Sequence, residues 1–251
     1  MHITTRGLVL REVKYKEADK ILTILTPDGG KCTVKARGCC RKGSPLAASA
    51  QLLVYSDMTL FAYRDYFTLN EASSLQQFWG VKSDVEKLAL GSYFAEVMEA
   101  VAEEGRGEEA LLSLILNALY ALDQLHKPLA QVKAAFELKL LCLAGYEPLL
   151  DACAVCGVPE PREPCLNLPE GVLCCGSCKA GAGAGPFAPL AGETLAAMRH
   201  VVYGPPKRLF SFPADVVMLE SMGRACEEFL TTQLDRGFRT LDFYKQLKAG
   251  I

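Results

Sequence analysis

Hydrophobic and polar side chains alternate along the first 75 or so residues, which is the pattern of half-buried β-strands. Lys31–Arg37 shows this alternation and follows Pro27-Asp28-Gly29-Gly30, whose residues accept the dihedral angles of a tight turn. The pattern predicts five strands, at residues 4–13, 21–26, 31–37, 52–62 and 66–72, with the last two joined through Tyr63-Arg64-Asp65. Five strands in so short a stretch are too few for a sandwich and suit a small closed barrel.

The hydrophobic period changes to that of amphipathic helices after Ser74. Ser83-Asp-Val-Glu86 has the spacing of a capping box and predicts a helix start with Ser83 as the N-cap. Pro128 and Gly145 have the composition of the start and end of a third helix. A further helix is predicted near residues 193–202. The apolar stripes, which we interpret as core, comprise Leu90, Phe94, Val97 and Val101; Leu111, Ile115, Leu119 and Leu122; Val132, Phe136, Leu140 and Leu143; and Leu219, Met222, Cys226, Leu230 and Leu234.

These patterns predict an α+β multidomain chain. The expected domains are a small β-barrel over residues 1–76, a helical domain over 77–150 and 186–251, and an inserted cysteine-rich element over 151–185. The glycine–alanine repeat at 180–185 is expected to be a mobile linker. No uncharged apolar run reaches the roughly 18 residues of a membrane span, and the first residues lack the features of a secretory leader. We therefore expect no membrane partner.

Two Cys-x-x-Cys pairs predict a metal site in the cysteine-rich element. Cys153–Cys156 and Cys175–Cys178 are separated by 18 residues, a spacing that lets four thiolates close a tetrahedron around one Zn²⁺. Four protein ligands leave no open coordination position, so the ion would stabilise a fold and activate no water. The alternatives are two disulfides, or buried thiols packed as small hydrophobic groups. Eleven cysteines in a chain without an evident leader fit a reducing cytosol better than disulfide formation.

The charge of the chain is unevenly distributed. The net charge is −2, but residues 1–75 carry +4 and residues 76–251 carry −6. Four cations, Lys35, Arg37, Arg41 and Lys42, lie within eight residues where the third strand would end, and neighbouring glycines would allow a phosphate to approach the backbone. The alternative is an ordinary solvated turn. Aromatic side chains of the last two strands could stack on bases or pack in the core: Tyr55, Phe61, Tyr63, Tyr66 and Phe67.

Catalytic constellations are scarce in this sequence. The three histidines are scattered, and we find no phosphate-binding loop, dinucleotide fingerprint or nucleophile elbow. Cys39 or Cys40 beside Arg37 and Arg41 is conceivable as a reactive thiol because nearby positive charge lowers a thiol's pKa, but no partnered base is evident. We therefore expect no enzymatic activity.

Several motifs, taken in order, resemble the RecO family of bacterial DNA repair and recombination mediators. Leu8–Arg11 followed by Tyr15–Thr26 is similar to the family's first hairpin, and Gly30-Lys31 with Arg37–Ser44 resembles its basic loop. The most specific stretch is Phe136-Glu-Leu-Lys-Leu-Leu-Cys-Leu-Ala-Gly-Tyr-Glu-Pro148 followed by Cys153-Ala-Val-Cys156-Gly157, and the second cysteine pair completes the zinc motif.

The resemblance implies an N-terminal OB-fold, a helical domain and a zinc-binding element. It also implies a cytoplasmic, nucleoid-associated protein that binds single- and double-stranded DNA, anneals complementary strands and helps RecA load onto DNA coated by single-stranded-DNA-binding protein (SSB), together with RecR. Phosphate contacts are expected from Arg11, Lys14, Lys35, Arg37, Arg41 and Lys42. The SSB tail would bind an apolar groove edged by cations, for which Lys133 and Lys139 are candidates.

Two departures from the family pattern affect the predicted sites. Cys40 stands where the family usually has a cation, so the salt dependence of binding is expected to be shallower by up to about 0.9 in log–log slope. The second cysteine pair is stretched by one residue, so Cys174 or Cys175 could pair with Cys178; we favour Cys175 because two intervening residues are the preferred turn, with Cys165 as a spare. The rival functions are a zinc-stabilised adaptor that binds only proteins and an RNA-binding OB protein.

Overall fold

The N-terminal strands close into a barrel. The computed structural model describes residues 1–64 and 66–250, and in this part of the chain the barrel strands run in the order β1-β2-β3-β5-β4, all antiparallel except β3 with β5. This arrangement confirms the predicted small barrel and has the form of an OB-fold. The predicted turn at Tyr63-Arg64-Asp65 includes Asp65, which lies outside the described residues. The strands are β1 (His2–Tyr15), β2 (Asp19–Thr26), β3 (Gly30–Ala36), β4 (Tyr55–Tyr63) and β5 (Tyr66–Gln76).

Alternation along the strands fills the interior of the barrel. Leu22 and Ile24 of β2 and Met58 and Leu60 of β4 are buried in one apolar cluster, because side chains two residues apart share a face. Strand β1 pairs with β4 through its first half and with β2 through its second half. A register shift after Val9 marks the change of neighbour, as a β-bulge does in a bent strand.

Four helices belong to the same compact unit as the barrel, which comprises the chain up to Gln124 and the C-terminal stretch from Phe238. They are α1 (Trp79–Lys82), α2 (Val85–Val101), α3 (Glu109–Gln124) and α7 (Arg239–Lys248). The ring of Phe238 lies 5.9 Å from the ring of Tyr93, and the Thr240 amide donates to Glu96 at 3.0 Å, so α7 packs on α2.

The predicted start of α2 is wrong by one residue. Asp84, not Ser83, is the N-cap, and its carboxylate accepts hydrogen bonds from the backbone amides of Glu86 and Lys87 at 2.9 and 3.1 Å. Either residue type caps a helix well, and two adjacent candidates cannot be separated by pattern alone. Helices α1 and α7 had not been predicted.

Residues 125–237 form a second compact unit. Helix α4 packs against α5 and α6, with Phe136 fully buried. A small sheet of order β7-β6-β8 takes two strands from the cysteine-rich element and the third, β8, from the residues just after it. The stretch 180–185, expected to be a mobile linker, is tied down because Ala182 is buried and its carbonyl accepts from Asn167 at 2.7 Å. The elements are α4 (Leu129–Leu143), β6 (Cys165–Asn167), β7 (Val172–Cys174), β8 (Phe187–Pro189), α5 (Gly192–Tyr203) and α6 (Val216–Leu234).

The two compact units are groups of residues in mutual contact, and contacts alone do not define domain boundaries. The predicted domains, 1–76, 77–150 with 186–251, and 151–185, therefore stay a prediction. Within residues 1–64 and 66–250, every helix is too short or too polar to span a lipid bilayer.

Candidate metal centre and nucleic-acid interface

Four cysteine sulfurs converge in the second unit. The Sγ atoms of Cys153, Cys156, Cys175 and Cys178 all lie within 4.8 Å of one another, and those of Cys156 and Cys175 are 3.7 Å apart. Four sulfurs placed about 2.3 Å from one tetrahedral ion would be separated by about 3.8 Å. The two Cys-x-x-Cys pairs therefore form a site that could hold a metal ion.

Each cysteine pair lies on a tight turn that aims both sulfurs the same way. The Gly157 amide donates to the Cys153 carbonyl at 2.8 Å, and Gly157 itself has φ of +74°, which a residue without a Cβ adopts readily. The Cys178 amide donates to the Cys175 carbonyl at 3.0 Å and opens the 3-10 helix Gly176–Gly181. The Cys175 amide also points at the Cys153 sulfur, 3.4 Å away, which connects the two turns.

The choice between Cys174 and Cys175 follows from the pleat of β7. Cys174 is the last residue of that strand and lies directly opposite Cys165 of β6, with their sulfurs 3.0 Å apart. Since successive side chains of a strand point to opposite faces, Cys175 faces the other way and joins the cluster. The structure thus brings together the four predicted cysteines and pairs the two others with each other.

The surroundings of the cluster favour thiolates at one position and oppose them at another. Burial raises the pKa of Cys153, but the amides of Cys156, Cys175 and Val155 outweigh it and lower the pKa to about 6. Burial, followed by the thiols of Cys156 and Cys153, raises the pKa of Cys175 to about 12. Four thiolates can share so small a volume only around a cation, because their negative charges would otherwise repel one another. The four cysteines therefore fit a metal cation.

Serine substitutions should separate the ligand from its neighbour. We expect Cys175→Ser to lose the bound metal and Cys174→Ser to retain one ion per chain, because only the Cys175 sulfur reaches the other three. Metal content is measured by elemental analysis of the purified variants after gel filtration. Equal metal loss in both variants would contradict the assignment.

The basic loop predicted after β3 is held against the β1–β2 hairpin. Gly38 has φ of +65°, and its amide donates to Asp19 Oδ1 at 2.8 Å. The Cys40 amide donates to the Ala18 carbonyl at 2.9 Å. The Gly38 amide, and less strongly Lys35, also hold the pKa of Asp19 below its ordinary value. Residues 37–44 and the hairpin therefore form one surface at this end of the barrel.

Four of the six predicted DNA-binding cations are exposed at this end. Lys14 is on β1 beside the hairpin turn, and Arg37, Arg41 and Lys42 are on the loop. We call these four residues the basic surface. No ion pair is found for them among the described residues, so their charges are available to an anion.

The other two predicted cations are already engaged by the protein. The Arg11 guanidinium lies 3.0 Å from the Glu99 carboxylate. The Lys35 ammonium lies 3.4 Å from Asp19 and 4.7 Å from the centre of the Tyr15 ring. Tyr15 was not among the predicted aromatics, although its position between Lys14 and Lys16 could have indicated it.

The predicted aromatics divide between the surface and the barrel wall. Tyr63 and Tyr66 pair across the β4–β5 hairpin and are 60% and 74% exposed, whereas Phe67 packs against the core. Tyr55 is half-buried, and Phe61 is 37% exposed. Since Phe67 pairs with Val34, the two exposed rings lie towards the opposite end of β3 from the basic loop.

Cys39 is poorly suited to be a nucleophile. Its side chain packs in the barrel core, and burial raises its pKa to about 11, so the thiol is protonated at neutral pH. Cys40 is exposed on the basic loop and adds no charge to the basic surface.

The prediction that Lys133 edges a solvent-exposed groove is corrected by its burial in α4. The Lys133 ammonium lies 2.7 Å from the Glu137 carboxylate and 2.9 Å from the Glu227 carboxylate. Burial lowers the pKa of Lys133, but the two carboxylates raise it by more, so the pKa lies above its ordinary value. Lys139 is half-buried and donates to the Val202 carbonyl at 3.1 Å. A lysine on an amphipathic helix is usually solvated, but α4 is covered by both α5 and α6.

The fold and the sites together define a class of protein. Its members have a closed OB-type barrel with a basic end, followed by helices and a four-cysteine candidate metal centre. The family description "Recombination protein O N terminal" matches residues 1–78, and "Recombination protein O C terminal" matches residues 82–242. The chain therefore belongs to the recombination protein O (RecO) family of DNA repair proteins, which confirms the resemblance found in the sequence.

Curated relatives agree with this assignment over almost the whole chain. The chain is 30% identical over 247 residues to the DNA repair protein RecO of Acetivibrio thermocellus, with 98% of this chain and 97% of the relative covered. It is 30% identical over 249 residues to that of Alkaliphilus metalliredigens, with 98% and 100% covered. With the corresponding protein of Rubrobacter xylanophilus it shares 33% identity over 198 residues, which are 78% and 79% of the two chains.

Proposed function

We propose that this protein is a non-enzymatic recombination mediator that binds single- and double-stranded DNA through the basic surface. The observation that carries the proposal is the exposure of Lys14, Arg37, Arg41 and Lys42 at one end of an OB-type barrel. Contacts to phosphates fix a protein on nucleic acid but carry little sequence information, which suits a protein that must act on any damaged site.

Annealing follows from charge neutralisation in this proposal. Each cation that replaces a counterion on a phosphate lowers the repulsion between two complementary strands, so pairing becomes faster without any bond being made or broken. The family resemblance further supports assistance to RecA loading on SSB-coated DNA, together with RecR, at the nucleoid. Lys139 remains a candidate for contacting the SSB tail, and Lys133 is no longer one, since its charge is buried.

We further propose that the metal centre holds one structural Zn²⁺. Sulfur-only ligation, two Cys-x-x-Cys turns and the 3.7 Å separation of the Cys156 and Cys175 sulfurs support zinc over metals that prefer oxygen ligands. Cys153, Cys156, Cys175 and Cys178 would hold the ion, which would supply no chemistry beyond fixing the insert.

A salt titration tests the DNA-binding proposal. Because the four cations of the basic surface would each release about 0.7 counterion from a single strand, the slope of log affinity against log salt should be about −3. The measurement is fluorescence anisotropy of a labelled oligodeoxynucleotide between low and moderate salt, with an RNA of the same sequence and an SSB tail peptide as further ligands. Peptide binding without DNA binding would favour the adaptor function, and a clear preference for RNA would favour the RNA-binding one.

A further inference from the structure

We propose that Trp79 is a base-stacking residue, which takes an unstacked base of single-stranded DNA beside the basic surface. The inference rests on the proposed DNA binding and deepens it by adding a subsite that distinguishes single strands from duplex. Trp79 is the sole tryptophan of the chain. It lies in α1, which connects the barrel to the helices of the first unit.

Trp79 is exposed although the backbone that carries it is firmly anchored. Trp79 is 66% exposed, whereas Phe78 before it and Val81 after it are buried. The Val81 amide also donates to Asp123 Oδ1 of α3 at 3.1 Å. Tryptophan is a large apolar side chain that is highly buried on average, so a rigidly presented and solvated one indicates a binding surface.

The charges around the ring connect it to the basic end of the barrel. The Lys82 ammonium lies over the Trp79 ring, 5.7 Å from its centre, and covers one face. Helix α1 also packs beside the stretch that follows the basic loop, because a Cβ built on Gly91 would meet the side chain of Leu53 at 2.9 Å and that of Val81 at 3.3 Å. Burial lowers the pKa of Lys82. No hydrogen-bond acceptor contacts this ammonium among the described residues.

Lys20 completes the link between Trp79 and the basic loop. It pairs with Lys14 across β1 and β2 and with Ala36 across β2 and β3, one residue before the loop begins. Its ammonium donates to the carbonyl of Ala50 at 2.9 Å, in the stretch that leads from the basic loop to Leu53. The turn that carries Trp79 is thus connected, through Leu53 and Lys20, to the surface that would hold phosphates.

An aromatic ring next to a phosphate-binding surface recognises single strands by stacking. Every base has a π-face, so stacking tolerates any sequence, and a cation over the other face of the ring strengthens the site. In duplex DNA the bases are stacked on each other and are not offered to a side chain. The subsite therefore favours single-stranded over double-stranded DNA while the basic surface binds both.

Fluorescence of the sole tryptophan tests the inference directly in the full-length protein. We expect oligo-dT to quench the emission of Trp79 and matched duplex to leave it nearly unchanged. Trp79→Ala should weaken oligo-dT binding by roughly tenfold or more, the range given by base–aromatic stacking, and change duplex binding less than twofold. Trp79→Phe keeps a flat ring and should stay within about threefold of wild type. Phe243→Ala, which removes an exposed ring of α7, is the matched control.

The outcomes separate this inference from the DNA-binding proposal. Oligo-dT binding by anisotropy, with unchanged emission and a wild-type affinity for Trp79→Ala, would overturn the stacking role and leave DNA binding intact. An equal loss for oligo-dT and duplex in Trp79→Ala would assign the residue to the fold or to a protein contact and also overturn stacking. No anisotropy change for wild type at any salt would instead overturn the proposed function.

Discussion

Reversing two charges of the basic loop should reduce affinity for single-stranded DNA by about a hundredfold at low salt. Arg37 and Arg41 are both exposed and lie on either side of Gly38, whose amide fixes the loop to Asp19. Arg37→Glu with Arg41→Glu removes two phosphate contacts and adds two repulsive charges to the same surface. The slope of log affinity against log salt should become shallower by about 1.4, which is two contacts on a single strand.

The control for charge reversal is a change of equal size elsewhere. Lys207→Glu with Arg208→Glu alters the net charge by the same four units on an exposed 3-10 helix of the second unit. Affinity measured by anisotropy at moderate salt should change little in this control, because these two residues are not among the proposed phosphate contacts and salt screens general electrostatic attraction. If the two double variants bind equally well, the basic loop is an incidental solvated turn.

The barrel could be predicted from the sequence because its strands are half-buried. A strand with one face in the core has an apolar side chain at every second residue. Leu22 and Ile24, like Met58 and Leu60, follow this spacing and are buried in the barrel. Closure of the barrel and the parallel pairing of β3 with β5 are long-range features that no local period encodes. The number of strands favoured a small closed barrel, whereas the parallel pairing was not predicted.

The elements that were missed are short or weakly apolar. Helix α1 has four residues, less than two turns, and α7 buries only Leu241 and Tyr244 of its ten residues. The three strands of the small sheet β7-β6-β8 have three residues each, too few to show an alternation. Because α1 was not predicted, the exposure of Trp79 was not predicted either, since it depends on how that turn is anchored.

The candidate sites were predictable as far as local spacing determines them. Two Cys-x-x-Cys turns define their own geometry, so the metal cluster could be proposed residue by residue. The two-residue gap favoured Cys175 over Cys174, and the direction of the pleat in β7 supplies the structural reason. Lys133 shows the opposite case. Its partner Glu137 is one helical turn away, but Glu227 belongs to α6, and the sequence does not indicate which faces of α4 are covered.

Loss of the metal should lower thermal stability strongly while DNA binding survives. Cys153→Ser removes a sulfur whose neighbours lie within 4.8 Å, and metal binding to such a site is coupled to folding. A ligand present at about a thousand times its dissociation constant stabilises the folded state by about 4 kcal/mol. In a chain of this size 1 kcal/mol moves Tm by about 2–4 °C, so Tm should fall by about 8 °C or more.

The reason DNA binding should survive is the separation of the two sites in the chain. The four cysteines belong to the second compact unit and the basic surface to the first. Cys153→Ser should therefore bind oligo-dT within about threefold of wild type at a temperature where it is folded. Hydrogen exchange should show that protection is lost first in residues 151–185. Cys40→Ser, which removes an exposed thiol outside the cluster, serves as the control for loss of a cysteine.

Mild chelation should reproduce the Cys153→Ser result in wild-type protein, and added Zn²⁺ should restore Tm only where all four sulfurs are present. Lower pH should have the same direction of effect, since protons compete with the ion for the thiolate ligands. A metal-depleted protein with unchanged Tm would mean that hydrogen bonds such as Asn167 to Ala182 stabilise the insert without an ion. A parallel fall in Tm and in oligo-dT affinity would mean that the insert takes part in holding DNA.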